Sequence, residues 1–378
     1  MSSYQVWING TAVGDDFYDT IGGLDVEENS TLPDALKLTL PISTVNSDLS
    51  WVGDALVAPY ANIAVVATPD GGSAQCIFDG YVLSHAVHLN AGITASTVEV
   101  RAQDASVLMS LDHRCREWAG MSEGTVANTI FSSPSYGFGA APGNTASDSP
   151  VHDSPGHTLM QRGTDLEFLR RLARRSGRWC RVACTDTPGQ RTGYFAAPDL
   201  TAAPAATIVL NDPATASVNA LDFRWDVARP TQVLASQASM TDSDPSGVTA
   251  DTDDSGLPLL DARGLSEFAG QDASVRLTTP GDSADLTGRA QAVLREAGWF
   301  ATCEGTAELS RIKAVLRVGT VVSVADCGAV LSGNYLVSSV RHTITTNSHT
   351  MGFTLIRNAV GSPAGGPSSP ASAAGVAG

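Results

Sequence analysis

Two stretches far apart in the chain read as one hairpin written twice, and a fold for this sequence has to accommodate both copies. The first is NIAVVATPDGGSAQCIFDGYVLSHAVHL and the second GTVVSVADCGAVLSGNYLVSSVRHTI. Tyr81-Val82-Leu83-Ser84 and His88 match Tyr335-Leu336-Val337-Ser338 and His342, with Gly80 and Gly333 just before them at the turn. The strands that follow close with VEVR and TLIR, which sets Arg101 against Arg357. Aromatic and β-branched residues suit any pleated surface, so single matches carry little and the run of matches in order carries the reading. Two copies of one β unit are expected. Three chains would then present six similar units in a ring.

The rest of the pattern agrees with a mainly β chain carrying an α+β insertion. Over residues 1–111 the segments YQVWI, ALKLTLPI, NIAVVA, CIFDGYVLSHAVHL and STVEVRAQ alternate or run apolar between breakers, as strands of a first β-barrel do. DASVLMSLD reads as a short helix capped by Asp104, and SEGTVANTIF as another begun by Ser122 or Thr125. Residues 112–217 form a smaller α/β lobe, with a long loop over 132–158 and a helix over 164–176. Thr164 and Glu167 give that helix a capping box, Leu166, Leu169, Leu172 and Ala173 give it one apolar stripe, and Gly177 stops it before the strand RWCRVAC. Residues 218–358 form the second barrel, with a surface excursion over 241–264 and a helix SADLTGRAQAVLREA capped by Asp282 or Ser283. The Ser/Pro/Ala/Gly-rich end, 359–378, reads as a flexible tail.

Composition removes several functions. A net charge of −16 opposes a general nucleic-acid role, since phosphate binding needs clustered cations. No basic flank leads into an apolar segment at MSSYQVWING, and ALVAPYANIAVVA is too short to span a bilayer, so cytoplasmic synthesis and no membrane insertion are expected. Cys180 and Cys184 lie on one strand face roughly 13 Å apart, beyond disulfide reach, and the other four cysteines are scattered. Buried free thiols are the expected state.

His152, Asp153 and His157 lack the second cluster a metal site needs, and Asp242, Asp244, Ser246, Gly247 and Asp253 lack the Glu and flanking helices of a calcium loop. Glu99 with Asp104, or Asp222 with Asp226, are the carboxylate pairs a glycosidase would offer, without any sign of the required separation. No nucleophile elbow, Walker loop or His-Glu-x-x-His occurs. No catalysis, cofactor or metal is expected.

Two phrases carry a family resemblance: Thr164, Asp165, Phe168, Leu169, Arg171 and Leu172 in the helix, and Gly333, Tyr335, Val337, Val340 and His342 in the late strand. Together they resemble the late-control D and VgrG hub family of contractile phage tails and injection systems. The resemblance implies two tandem tube-type β-barrel domains per chain and a homotrimer. It further implies contacts with a hexameric tail tube, a trimeric spike and baseplate wedge proteins, and assembly into a virion or tail-like particle. Because the chain ends in a Ser/Pro/Ala tail, the spike is expected as a separate protein. A tail-associated wall hydrolase and a receptor-binding module are the alternatives. Arg170, Arg171, Arg174 and Arg175 fall off the apolar stripe, either solvated or facing carboxylates of a partner.

Overall fold

The computed structural model describes residues 3–45, 48–92, 95–145, 151–152, 158–212, 215–237, 248–278 and 283–362. The first third holds β1 (Ser3–Ile8), β2 (Gly23–Asn29), β3 (Ala35–Pro41), β4 (Asn62–Thr68), β5 (Gln75–His88) and β6 (Thr97–Asp104). Alternation builds them: Leu36, Leu38 and Leu40 of β3 are buried together with Val98, Val100 and Ala102 of β6.

The lobe follows, with β7 (His113–Trp118), α1 (Glu123–Phe131), β8 (Leu159–Thr164), α2 (Asp165–Arg175), β9 (Trp179–Cys184) and β10 (Arg191–Ala196). Thr164 Oγ1 accepts from the Glu167 amide at 3.2 Å and Glu167 accepts from the Thr164 amide at 3.1 Å, closing the capping box. Leu166, Phe168, Leu169, Leu172 and Ala173 bury one face of α2 in the lobe core.

Beyond the lobe come β11 (Thr207–Val209), β12 (Val218–Trp225), β13 (Gln232–Gln237), β14 (Ser274–Thr278), α3 (Ser283–Gly298), β15 (Ala301–Glu308), β16 (Val321–Ala325), β17 (Gly333–Ile344) and β18 (His349–Arg357). One sheet runs β12-β15-β18-β17-β2-β3-β6-β5-β4-β1, with β16 on the first half of β17. Within it a single order of five strands occurs twice: β2-β3-β6-β5-β4 and β12-β15-β18-β17-β16. The chain visits the five in the same sequence each time.

The two copies are equivalent one to three residues away from where the identities place them. Each carries a β-bulge, at Leu83 between the pairs Val82·Ala102 and Ser84·Arg101, and at Ser338 between Val337·Leu355 and Ser339·Thr354. Superposing the bulges sets Tyr81 on Leu336, Gly80 on Tyr335 and His88 on Thr343. Arg101 then corresponds to Thr354, and Arg357 to Asp104. The expected matches Gly80 with Gly333, Tyr81 with Tyr335, His88 with His342 and Arg101 with Arg357 are therefore corrected. An odd slip, one residue for Tyr81 and His88 and three for Arg101, turns the side chain to the other face. Accordingly Tyr335 packs in the sheet core and Tyr81 against the lobe core, and His342 and Arg357 are buried where His88 and Arg101 are exposed.

Other expectations also shift. The second unit is interrupted after β12 by β13 and β14, a parallel pair covered by α3 through Val233, Ala235, Leu286, Ala290 and Leu294. Of the expected excursion 241–264, residues 241–247 lie outside the described residues, and its end is docked rather than projecting. Leu260 is buried, Asp261 pairs with Arg357, and Arg263-Gly264 form a ladder with Ala359-Val360. Within the expected loop 132–158, Gly139-Ala140 pair with β10 and Asn144 is fully buried, donating to the Gly193 carbonyl at 2.9 Å. Cys115 is exposed and Cys184 and Cys327 are half-buried, while Cys76, Cys180 and Cys303 are buried.

Gly80 marks a close approach of β5 to β6, where an added methyl would overlap the Gln103 carbonyl oxygen and lie 2.7 Å from the Phe78 ring. Gly80→Ala is expected to cost about 1–3 kcal/mol in urea unfolding, with Gly14→Ala, at an open position, as the neutral control.

Candidate functional site

The residues that set the geometry of this molecule meet where the two units join. The joint is an antiparallel ladder between β2 and the second half of β17, running from Asn29·Ser339 through Glu28·Val340 and Val26·His342 to Leu24·Ile344. On its core face Leu24, Val26, Val340 and Ile344 are buried. The same face of β2 continues with Glu28, also fully buried, so a carboxylate sits where the alternation calls for an apolar residue.

Its partners come from each part of the chain. Arg317, before β16, lies with Nε 2.7 Å from Glu28 Oε1; Arg181 of β9 reaches within 3.5 Å and His342 of β17 within 3.6 Å. Arg181 also approaches Asp34 at 3.5 Å and donates to the Val318 carbonyl at 2.7 Å. Asp34 in turn accepts from the Asn29 amide at 2.9 Å, and its own amide donates to Asp104 at 2.5 Å. One buried network thus ties first unit, lobe and second unit together.

The electrostatics follow from burial and pairing. Burial alone would raise the Glu28 carboxyl, but Arg317, the His342 contact and Arg181 overcome it and bring it down to about 2. Asp34 goes the other way, to about 8, because burial acts together with Asp104 and Glu28 and outweighs Arg181. Asp104 is raised too, chiefly by burial. Burial and the neighbouring carboxylates thus favour the neutral form of Asp34, while the arginines favour the charged form of Glu28. Next to it His342 Nδ1 and His349 Nε2 share a hydrogen bond at 3.0 Å, and burial and His342 push His349 down to about 3.

Two further ties surround the joint. Arg191 of the lobe donates to Asp79 at 2.6 Å and to the Tyr81 hydroxyl at 2.9 Å, with its guanidinium over the Tyr81 ring. Arg357, fully buried, lies over the Tyr335 ring, donates to Asp261, and with Asp261 fills the space beside Gly333, where φ is +131°.

The helix arginines divide into two sets. Arg175 is engaged inside the chain, pairing with Asp285 of α3 and lying 3.8 Å from Glu123 of α1. Arg171 is exposed over the Phe168 ring, while Arg170 and Arg174 line a depression of about 280 Å³ beside Trp179 and Trp299. Glu99 is held by Arg101 at 2.6 Å on one face of β6 and Asp104 is buried on the other, so these carboxylates face apart. Asp226 pairs with Arg229 at 3.3 Å. His152 is buried 3.5 Å from Glu123; Asp153 and His157 lie outside the described residues, as do Asp242, Asp244, Ser246 and Gly247. Among the described residues no group of three or more His, Cys, Asp or Glu is placed to hold a metal. Glu28, Asp34, Arg181 and Arg317 escape a reading by motif, although Glu28 breaking the Leu24, Val26 alternation is a visible signal.

Removing one partner from a buried ion pair leaves the other charge uncompensated, so Arg317→Met is expected to lower stability by about 3–5 kcal/mol in urea unfolding. His349 gives a pH dependence. Unfolded, it takes up its proton near pH 6.5, and folded only near 3, so its contribution is complete above 6.5 and is lost as pH falls. Between pH 7 and pH 5 the wild-type chain should lose about 2 kcal/mol more stability than His349→Gln, measured by denaturant unfolding at each pH.

Comparison with known proteins places this architecture. No curated protein matches the chain. A tail protein of Neisseria meningitidis has the same fold at a TM-score of 0.66, with 14% identity over 94% of this chain and 97% of that one. The 43 kDa tail protein of prophage MuSo2 from Shewanella oneidensis gives 0.60, with 13% identity over 95% and 99%. An Escherichia coli type VI secretion component, described as similar to the T4 tail proteins gp27 and gp5, gives 0.55, with 13% identity over 95% and 79%. The family model of the phage tail baseplate hub matches residues 39–348, and the chain belongs to that family.

Proposed function

We propose that this hub works as a homotrimer that adapts a hexameric tail tube to a trimeric spike, without catalysis. The observation that carries the reading is the five-strand order occurring twice in one chain and joined edge to edge in one sheet. Like units that meet head to tail through a rotation generate a ring, and with two units per chain three chains supply six. Such a ring offers a sixfold-like face to a tube while the rest of each chain, lobe included, repeats only three times. The mechanism is surface complementarity, with the buried Glu28 network fixing the angle between the two units of each chain. The spike and the baseplate wedge proteins would dock on surfaces that follow the threefold repeat.

Mass photometry of the purified chain tests this directly. A species at three times the 39.1 kDa chain mass is expected, shifting further when the tube protein and the spike protein are added. A particle that stays monomeric with both present contradicts the reading.

A further inference from the structure

The strand edges left over by the internal joint are complementary to each other. Inside the chain, β17 passes its bulge at Ser338 and pairs residues 339–344 with β2. In the first unit β5 passes its bulge at Leu83 and continues to His88 alongside β6, but among the described residues no strand lies on its other side. In the second unit β12, the counterpart of β2, pairs among the described residues with β15 alone and ends the sheet. One edge of each kind is thus used internally and one of each kind is open.

Exposure follows the same division. Val340, His342 and Ile344 are buried, and so are Leu24, Val26 and Glu28 opposite them. Their counterparts are not: Val87 is 45% exposed, Leu89 53% and Trp225 61%. Apolar groups at open ladder positions are what an absent strand would cover.

We infer that β5 of one copy pairs antiparallel with β12 of a second copy, in the register that the internal joint dictates. This rests on the trimeric reading above and specifies the contact that closes it. Carrying the β2·β17 register across by the bulges and the strand pairings brings His85 opposite Trp225, Val87 opposite Phe223 and Leu89 opposite Leu221 on the core face. On the polar face it brings Ser84 opposite Asp226, Ala86 opposite Arg224 and His88 opposite Asp222. The chemistry fits at each step: apolar or aromatic on one face, small or oppositely polar on the other. Where the internal joint buries the Glu28 carboxylate, the outer joint has Trp225, whose ring already rests edge-on against Phe268. An ionic joint inside the chain and an apolar one between chains keep the two edges from exchanging partners.

Cross-linking tests the register. In a Cys115→Ser background, chains carrying only His85→Cys are mixed with chains carrying only Trp225→Cys, both at exposed positions, and treated with a short bifunctional thiol reagent. A covalent pair on a denaturing gel is expected, and likewise for Val87→Cys with Phe223→Cys. Ala86→Cys with Phe223→Cys, which a one-residue slip would favour, should not link. Val87→Glu should abolish the trimer by mass photometry while leaving the far-ultraviolet circular-dichroism spectrum of the folded chain unchanged. A trimer in which neither expected pair links overturns this joint and leaves the trimeric reading standing. A chain that is monomeric before any substitution overturns both.

Discussion

The ladder between β2 and β17 is the constraint on which the remaining geometry depends. It makes two five-strand units share one continuous surface, so the angle between them is fixed by hydrogen bonds at every second residue and not by a linker. A loose pair of units would have to pay ordering entropy each time it joined a ring; a rigid pair has already met that cost on folding. The lobe, inserted between the units in sequence, reaches this ladder through Arg181.

Burying Glu28 at the joint is expensive, and the reason it is tolerated lies in the number of cations that reach it. Arg317 and Arg181 arrive from different segments, and neither can move without stranding the carboxylate. Leucine in place of Glu28 would pack as well against Val340 but would hold neither the lobe nor the segment before β16. Asp34 and Asp104 are pushed toward their neutral forms, chiefly by burial. A network of this kind specifies which parts meet, and contributes to stability mainly by making alternatives costly.

Much of this was legible in residue order, for identifiable reasons. Helix starts at Asp104, Ser122 and Thr164 are local events, each decided by a side-chain oxygen and an amide two or three residues on. The duplication was visible because strand and turn composition survives divergence. Its register was not, since shared tyrosines and histidines drew the alignment one residue off, and the bulges that correct it leave no mark in composition. Parity does leave one: Val98, Val100 and Ala102 against Met351, Phe353 and Leu355 demand an odd offset in that strand, and the match of Arg101 with Arg357 is even. The docking of residues 257–264 was missed because Asp and Gly nearby read as surface, while Asp261 and Arg357 lie 96 residues apart in sequence. Contacts of that sequence separation, Glu28 to Arg317 most of all, exist only in three dimensions.

Electron cryomicroscopy of the purified particle bears most directly on the claim that one kind of strand joint is used twice per chain. The account predicts a threefold map in which six five-strand units form an unbroken sheet, with β5 and β12 of neighbouring chains at hydrogen-bonding distance. A map in which neighbouring chains touch only through the lobes, leaving those two strands open to solvent, would contradict it.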